Sequence, residues 1–409
     1  MNKVAKIAVA SAVAMVLASS MVVADDAKPQ NSVAAGKDLQ AALKDMHDRK
    51  WDDMLGELDK VKNNPKKNEY DEHVMNELYA VAYQNKKQNQ EGLAAVERII
   101  VSKYTPADEV KKRVVQAASM AEDLKNYDKA LEYGNRAIKD GYGTPAVDQI
   151  VAQSYYLKND FKDTDRFVHG VVDNQLKAGQ MPSDEMLQLG LSSASKLNNS
   201  AGEAHWLELL VSYHPKPEYW QNLLAGMFNA KLSDRQLLQV YRLSSEVGAM
   251  KRGSDYAEMA QLSLDEGSPG EAVSVLTKGF ANNVFTEPAD KNRNQHLLDS
   301  AKKQVAADQP TLAKTEADAA SAPNGDKLVS IGIVYFGYGD YAKSTKDLTD
   351  GIAKGPTKDA QDARLLLGIA QYKAGSKDEA VKTFKSVKGD PTLERLAALW
   401  ALRVKGGAG

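Results

Sequence analysis

The 409-residue sequence contains no cysteine. That excludes a disulfide framework, a lipid on a lipobox cysteine, a thiolate metal site and a cysteine nucleophile. Histidine is scarce and is not arranged for chemistry. The six, His47, His73, His169, His205, His214 and His296, form neither HExxH nor a close His/Asp pairing at ligand spacing, and they read as surface or turn residues. No GxSxG elbow occurs. The glycines of Tyr335-Phe336-Gly337-Tyr338-Gly339 lack the preceding strand and the lysine of a phosphate loop, and Gly339 reads as a turn residue. KNNPKK, from Lys62 to Lys67, is a solvated turn. A surplus of charge is missing too: the formal net charge is −2, which excludes a basic nucleic-acid footprint and a strongly acidic tail. Beyond Ala24 no apolar run is long enough to span a bilayer. These absences leave no catalytic, metal or cofactor site to assign.

What is present begins with Met1 to Ala24: Lys3 and Lys6, an uncharged run from Ile7 to Val23, then Val22-Val23-Ala24 before Asp25-Asp26. This reads as a secretory signal peptide cut after Ala24. An uncleaved anchor is the other reading, and the Ala/Ser content of the run and its cleavage site weigh against it. The mature chain would then be exported, periplasmic in a cell with two membranes, without span or lipid anchor. Loss of Lys3 and Lys6 would take its formal charge from −2 to −4. Apolar residues at 43% and charged residues at 26% suit a packed chain. Residues 25–35 read as a flexible leader.

The strongest signal lies at 326–391. Shifted by 36 residues, this stretch repeats itself, with Gly332 on Gly368, Gly339 on Gly375, Leu348 on Phe384 and Ile331 on Leu367, and with Pro356 and Pro391 closing the two halves. Leu328, Ile331, Val334 and Tyr335 recur at helical spacing, Gly339-Asp340 breaks the run, and Tyr341, Thr345, Leu348 and Ile352 start a second stripe. Each half is therefore a helical hairpin. A glycine inside a helix costs about 1 kcal/mol against alanine, so Gly332 and Gly368 are expected where two helices approach closely. Similar units fill 36–286. Tyr127 and Ala130 align with Phe161 and Thr164 at an offset of 34 residues, and Trp206, Trp220 and Tyr256 mark later units. The unit at 69–106 has a long turn, QNKKQNQEG, and reads as the loosest of this half. Residues 287–325 are alanine-rich with few large apolar side chains and read as a degenerate hairpin or hinge. Residues 392–409 supply an amphipathic capping helix with Leu393, Leu396, Leu399 and Trp400, then a loose tail.

Leu367-Gly368, Ala380, Phe384 and Pro391 resemble the small and large consensus positions of the tetratricopeptide repeat (TPR) family. Thr164 and Ser344 depart from it, standing where that family prefers alanine. The resemblance implies an all-α fold, a right-handed α-solenoid of about ten hairpins with a C-terminal cap. It also implies a scaffold or adaptor that holds an envelope protein or peptide, in envelope assembly, cell-wall synthesis or secretion. A small-ligand receptor or enzyme with a pocket inside the superhelix is the alternative, and co-purification with envelope proteins would discriminate. The resemblance further places one stripe of each first helix on a concave groove: Tyr79 and Tyr83; Gln149, Gln153 and Tyr156; Gln221 and Phe228; Gln261 and Leu264; Ile333 and Phe336; Ile369 and Tyr372. The paired Lys/Arg and Asn of carboxylate-clamp grooves are largely missing there, so an extended peptide or helix is the expected ligand.

Overall fold

The computed structural model describes residues 29–406. The signal peptide and its cleavage site lie outside the described residues. The described residues form 21 helices and no strand, and none of the helices is long and apolar enough to cross a membrane. The chain divides into two compact units after Gln180.

The first unit comprises α1 (Val33–His47), α2 (Trp51–Asn63), α3 (Glu69–Lys86), α4 (Asn89–Val101), α5 (Ala107–Asp123), α6 (Tyr127–Lys139), α7 (Pro145–Leu157) and α8 (Phe161–Lys177). Helix α1 begins inside the expected leader: Ser32 caps it by accepting the Ala35 N–H, and Ala35 is fully buried. Asn68 and Asp71 cap α3 reciprocally, and Thr144 with Pro145 starts α7. The long turn expected after α3 is short. The helix runs on to Lys86, and Lys87 at φ 58° turns the chain directly into α4. Lys125 and Asn159 do the same for the next two hairpins, and in the second unit Gly339 and Gly375 take that place at φ 78° and 91°.

The second unit comprises α9 (Asp184–Lys196), α10 (Ser200–Tyr213), α11 (Pro217–Phe228), α12 (Asp234–Glu246), α13 (Gly253–Asp265), α14 (Pro269–Ala281), α15 (Pro288–Asp308), α16 (Leu312–Ala320), α17 (Asp326–Gly337), α18 (Tyr341–Lys354), α19 (Ala360–Lys373), α20 (Lys377–Lys385) and α21 (Pro391–Gly406). Helices α15 and α16 do not lie against each other as the other pairs do. Instead α14 packs directly on α17, so the stack closes over 287–325. Two glycines allow it. A Cβ on Gly270 would stand 2.4 Å from the Tyr338 ring, and one on Gly337 would stand 2.3 Å from Ser268 Oγ. On α15 only Asn294, Leu298 and Ala301 are buried, and on α16 only Ala319.

One rule of packing recurs through both units. A buried residue on the first helix of a hairpin is matched by a buried residue 16 positions later on the second: Ala42 and Leu58, Ala80 and Val96, Ala152 and Val168, Gly190 and Trp206, Leu224 and Val240, Ala260 and Leu276, Gly332 and Leu348, Gly368 and Phe384. At the glycines the need is steric, since a Cβ would come within 2.4 Å of Trp206, 2.7 Å of Leu348 and 2.5 Å of Phe384. In the third hairpin both partners are small, Ala118 and Gly134, and Val151 from the following hairpin fills the space at Gly134. The hydroxyls at the alanine-like positions are satisfied within the fold: Thr164 donates to Asp160 O at 2.8 Å and Ser344 to Gly332 O at 2.8 Å.

Phe384 is 2% exposed and stacks on Trp400 at 6.1 Å, so Phe384→Ala is expected to lower stability by about 3–5 kcal/mol in urea unfolding, with the C-terminal end fraying first. A loss under about 1 kcal/mol would contradict this packing. Hydrogen exchange should show α15 beyond Ala301, together with α16, opening well before α14 and α17, because so little of that segment is buried. Equal protection across all four helices would refute this expectation.

Candidate protein-binding site

The interlocking residue gives each first helix a common angular zero. Measured from it, Gln149, Gln153 and Tyr156 stand at −3, +1 and +4 from Ala152. Gln221 and Phe228 flank Leu224 at −3 and +4, and Gln261 and Leu264 follow Ala260 at +1 and +4. Ile333 and Phe336 follow Gly332, and Ile369 and Tyr372 follow Gly368, at the same +1 and +4. These residues share one face of the hairpins. Tyr79 and Tyr83 do not, standing at −1 and +3 from Ala80, and the matching residues on α3 are Glu77, Val81 and Gln84. Tyr79 is 4% exposed, donates its O–H to Asp59 on α2 at 2.6 Å and stacks on Tyr83 at 5.4 Å, so the pair belongs to helix packing. Burial, with the Asp59 bond, pushes the Tyr79 phenol far above its usual value.

In the second unit the stripe is shared but not open. Ile333, Phe336 and Ile369 are buried, and the Arg242 guanidinium of α12 lies 5.2 Å over the Phe336 ring. Tyr372 donates its O–H to Glu246 at 3.0 Å. The expectation of a groove at these four residues is corrected: the chain itself covers them. The cause is that α19 and α21 return onto α10 and α12. Glu246 pairs with Lys373 and with Arg403, Glu208 with Arg395, and Arg235 with Asp359. Gln236 donates to Asp390 at 2.9 Å and Gln239 to Asp362 at 3.0 Å. Beside them Arg242 clasps Glu271 through two bonds, at 2.9 and 2.7 Å, both groups buried. Burial raises the Asp362 carboxyl above its ordinary range, with Arg242 opposing. Elsewhere in this unit Gln221 is exposed, Phe228 is 37% exposed against Tyr241, Gln261 bonds to Asp265 on its own helix, and Leu264 packs half-buried on the core.

In the first unit the same face keeps polar groups uncovered. Gln149, Gln153 and Tyr156 are half-buried, and neither amide has a hydrogen-bond partner among the described residues. Tyr156 meets Phe161 edge-on at 5.3 Å. Glu77 pairs with Arg113 of α5. Next to it lies a cluster that sequence reasoning missed. His73, read as a surface histidine, is 9% exposed between Tyr70 and Tyr104, and burial, with the Arg113 charge, lowers its pKa. His73 Nδ1, Asn76 Oδ1 and Arg113 Nε are buried without a partner. The residues at 73, 76 and 77 fall on one side of α3, which is the only signal the sequence carried.

Short helices, most of them 12–14 residues, paired by a small-to-large interlock with periods near 34–36 residues, decide the architecture. The fold is TPR-like. No family model and no curated protein matches the chain. Among solved structures it is similar to a tetratricopeptide repeat protein from Parabacteroides merdae, at 11% identity and a TM-score of 0.31, covering 83% of this chain and 100% of that one. It is also similar to yeast Tom70, at 10% identity and 0.24, covering 91% and 95%, and to the TPR domain of P58(IPK), at 10% and 0.23, covering 90% and 98%. At such scores these likenesses carry no argument about partners or activity, and the TPR-like reading stands on the chain's own hairpins.

Burial pushes the Glu246 carboxyl up, but hydrogen bonds and charge from Lys373, Tyr372 and Arg403 outweigh it and hold its pKa below the ordinary glutamate value. A depressed folded pKa stabilises above the unfolded pKa, and the contribution disappears as pH falls through the folded one. Glu246→Gln should therefore cost about 2 kcal/mol at neutral pH. The gap to the parent should close as the pH falls below the ordinary glutamate range, and a gap that is constant with pH in denaturant melts would exclude this role.

Proposed function

We propose that the chain is an exported, non-catalytic scaffold that binds an envelope protein or peptide along the first-helix face of its first unit. The supporting observation is the stripe Gln149, Gln153 and Tyr156, half-buried with unpaired amides, on the face that in the second unit is covered by α12. Unpaired amides beside an aromatic ring suit adaptable contacts to a peptide backbone, the ring carrying most of the affinity. Export, and with it a periplasmic site of action, rests on the charged-apolar-small pattern of Met1 to Ala24. The envelope process served is a matter for partner identification.

The test places a photo-crosslinking amino acid at Gln153 in intact cells, with exposed Lys162 as the control position. A discrete partner adduct is expected from Gln153 alone, localised to the envelope fraction and reduced by Tyr156→Ala in a protein whose melting temperature is unchanged. Identical adducts from both positions, or adducts confined to the cytoplasm, would overturn the proposal.

A further inference from the structure

Within the first unit, the groove between the two helices of a hairpin is filled by the first helix of the next. Val151 of α7 seats over Gly134 of α6, and Met120 of α5 reaches to within 3.0 Å of where a Gly92 Cβ would stand on α4. A different gap, between α8 and the corner where α6 turns into α7, holds a cleft of about 660 Å³. Its apolar lining includes Ile138, Tyr155, Phe167 and Val171, the two rings lying 6.2 Å apart. Two of its polar groups are acceptors lacking a donor. Asp148 has no ion-pair or hydrogen-bond partner among the described residues, and burial raises its pKa. Gln175 Oε1 is buried and unpartnered. The other charged residues of the cleft, Asp163 and Arg166, are spent on each other.

We propose that this cleft binds an amphipathic helix of a partner protein, which lays an apolar stripe along α8 beside the α6–α7 corner and sets a lysine or arginine against Asp148. The lining runs along α8 from Asp163 to Gln175, more than three turns, a length that fits a helix better than a small molecule. The uncompensated carboxylate, beside an orphaned amide oxygen and two aromatic rings, calls for a cationic donor. The proposal rests on the scaffold reading but concerns a different face of α7 from the Gln149–Tyr156 stripe, so the two can fail separately.

The probe is a fluorescein-labelled helical peptide of about four turns, with leucines at helical spacing and one lysine inside the stripe, compared with a version carrying norleucine for that lysine. Anisotropy titrations use the full mature chain. The lysine peptide should bind about tenfold more tightly than the norleucine peptide, and Asp148→Asn should abolish that difference while leaving norleucine binding intact. Gly170 lines the cleft, and a Cβ there meets nothing within 4 Å, so Gly170→Arg should block both peptides without disturbing the fold, checked by circular dichroism. Discrimination that survives Asp148→Asn, or binding that survives Gly170→Arg, overturns the proposal. So does concentration-dependent dimerisation abolished by Gly170→Arg, which would assign the groove to a second copy of the chain. Crosslinking at Gln153 is expected to be unaffected by Asp148→Asn, whatever the peptide result.

Discussion

The structure depends on one steric constraint repeated along most of the chain: where the second helix brings a large residue, the first helix, 16 residues earlier, offers a small one. Two helices of little more than three turns are too short to hold together by propensity, so their stability comes from burying this contact and stacking the result. The variation between hairpins follows. Where the second helix brings Trp206 or Phe384, the first helix must be glycine, and the roughly 1 kcal/mol that glycine costs a helix is offset by burying a ring. Where it brings leucine, the first helix has alanine or, against Leu348, glycine, and where it brings valine, alanine or, at residue 224, leucine. Where it brings Gly134, Val151 of the neighbouring hairpin fills the space that a larger residue would take.

This constraint was legible in the sequence because it is local. Gly332 with Leu348 and Gly368 with Phe384 lie within one repeat, and the second pair is the first displaced by 36 residues. The stripe that flanks the interlock was legible for the same reason, except on α3. There the conspicuous tyrosines drew the reading one residue round the helix, while the polar His73, Asn76 and Glu77 carried the inner side. Charged and amide residues on a helix look solvated in a sequence, whatever their fate. Arg242, 5% exposed, and Gln239, fully buried, show no periodicity that would mark them as interior.

Beyond reach were the pairings between distant repeats. Gln236 with Asp390 and Glu246 with Arg403 are separated by 154 and 157 residues, and no period in the chain points from one to the other. The path of the stack past 287–325 was equally hidden. A poverty of large apolar residues says that a segment cannot build an interface. It does not say whether the stack breaks there or closes over it. Gly270 and Gly337 decided that by letting α14 and α17 touch, and nothing in the sequence links the two.

The way the second unit is closed bears on how the two units differ in use. A first-helix face rich in Ile333, Phe336 and Ile369 would be an adhesive apolar surface if left open. Covering it with α12 removes that surface, and covering it through ion pairs fixes the register. A charge pair adds little net stability over an apolar contact of the same size, yet leaving one partner buried and alone costs several kcal/mol. Any slip of α12 against α19 or α21 would strand Glu246 in this way, so the closed arrangement excludes its own neighbours in register. The first unit has no such lock on its corresponding face. Its amides at Gln149 and Gln153 and its carboxylate at Asp148 have no partner among the described residues and stay half-exposed, so a contact there would exchange water for protein at a net gain of only about 1 kcal/mol per bond.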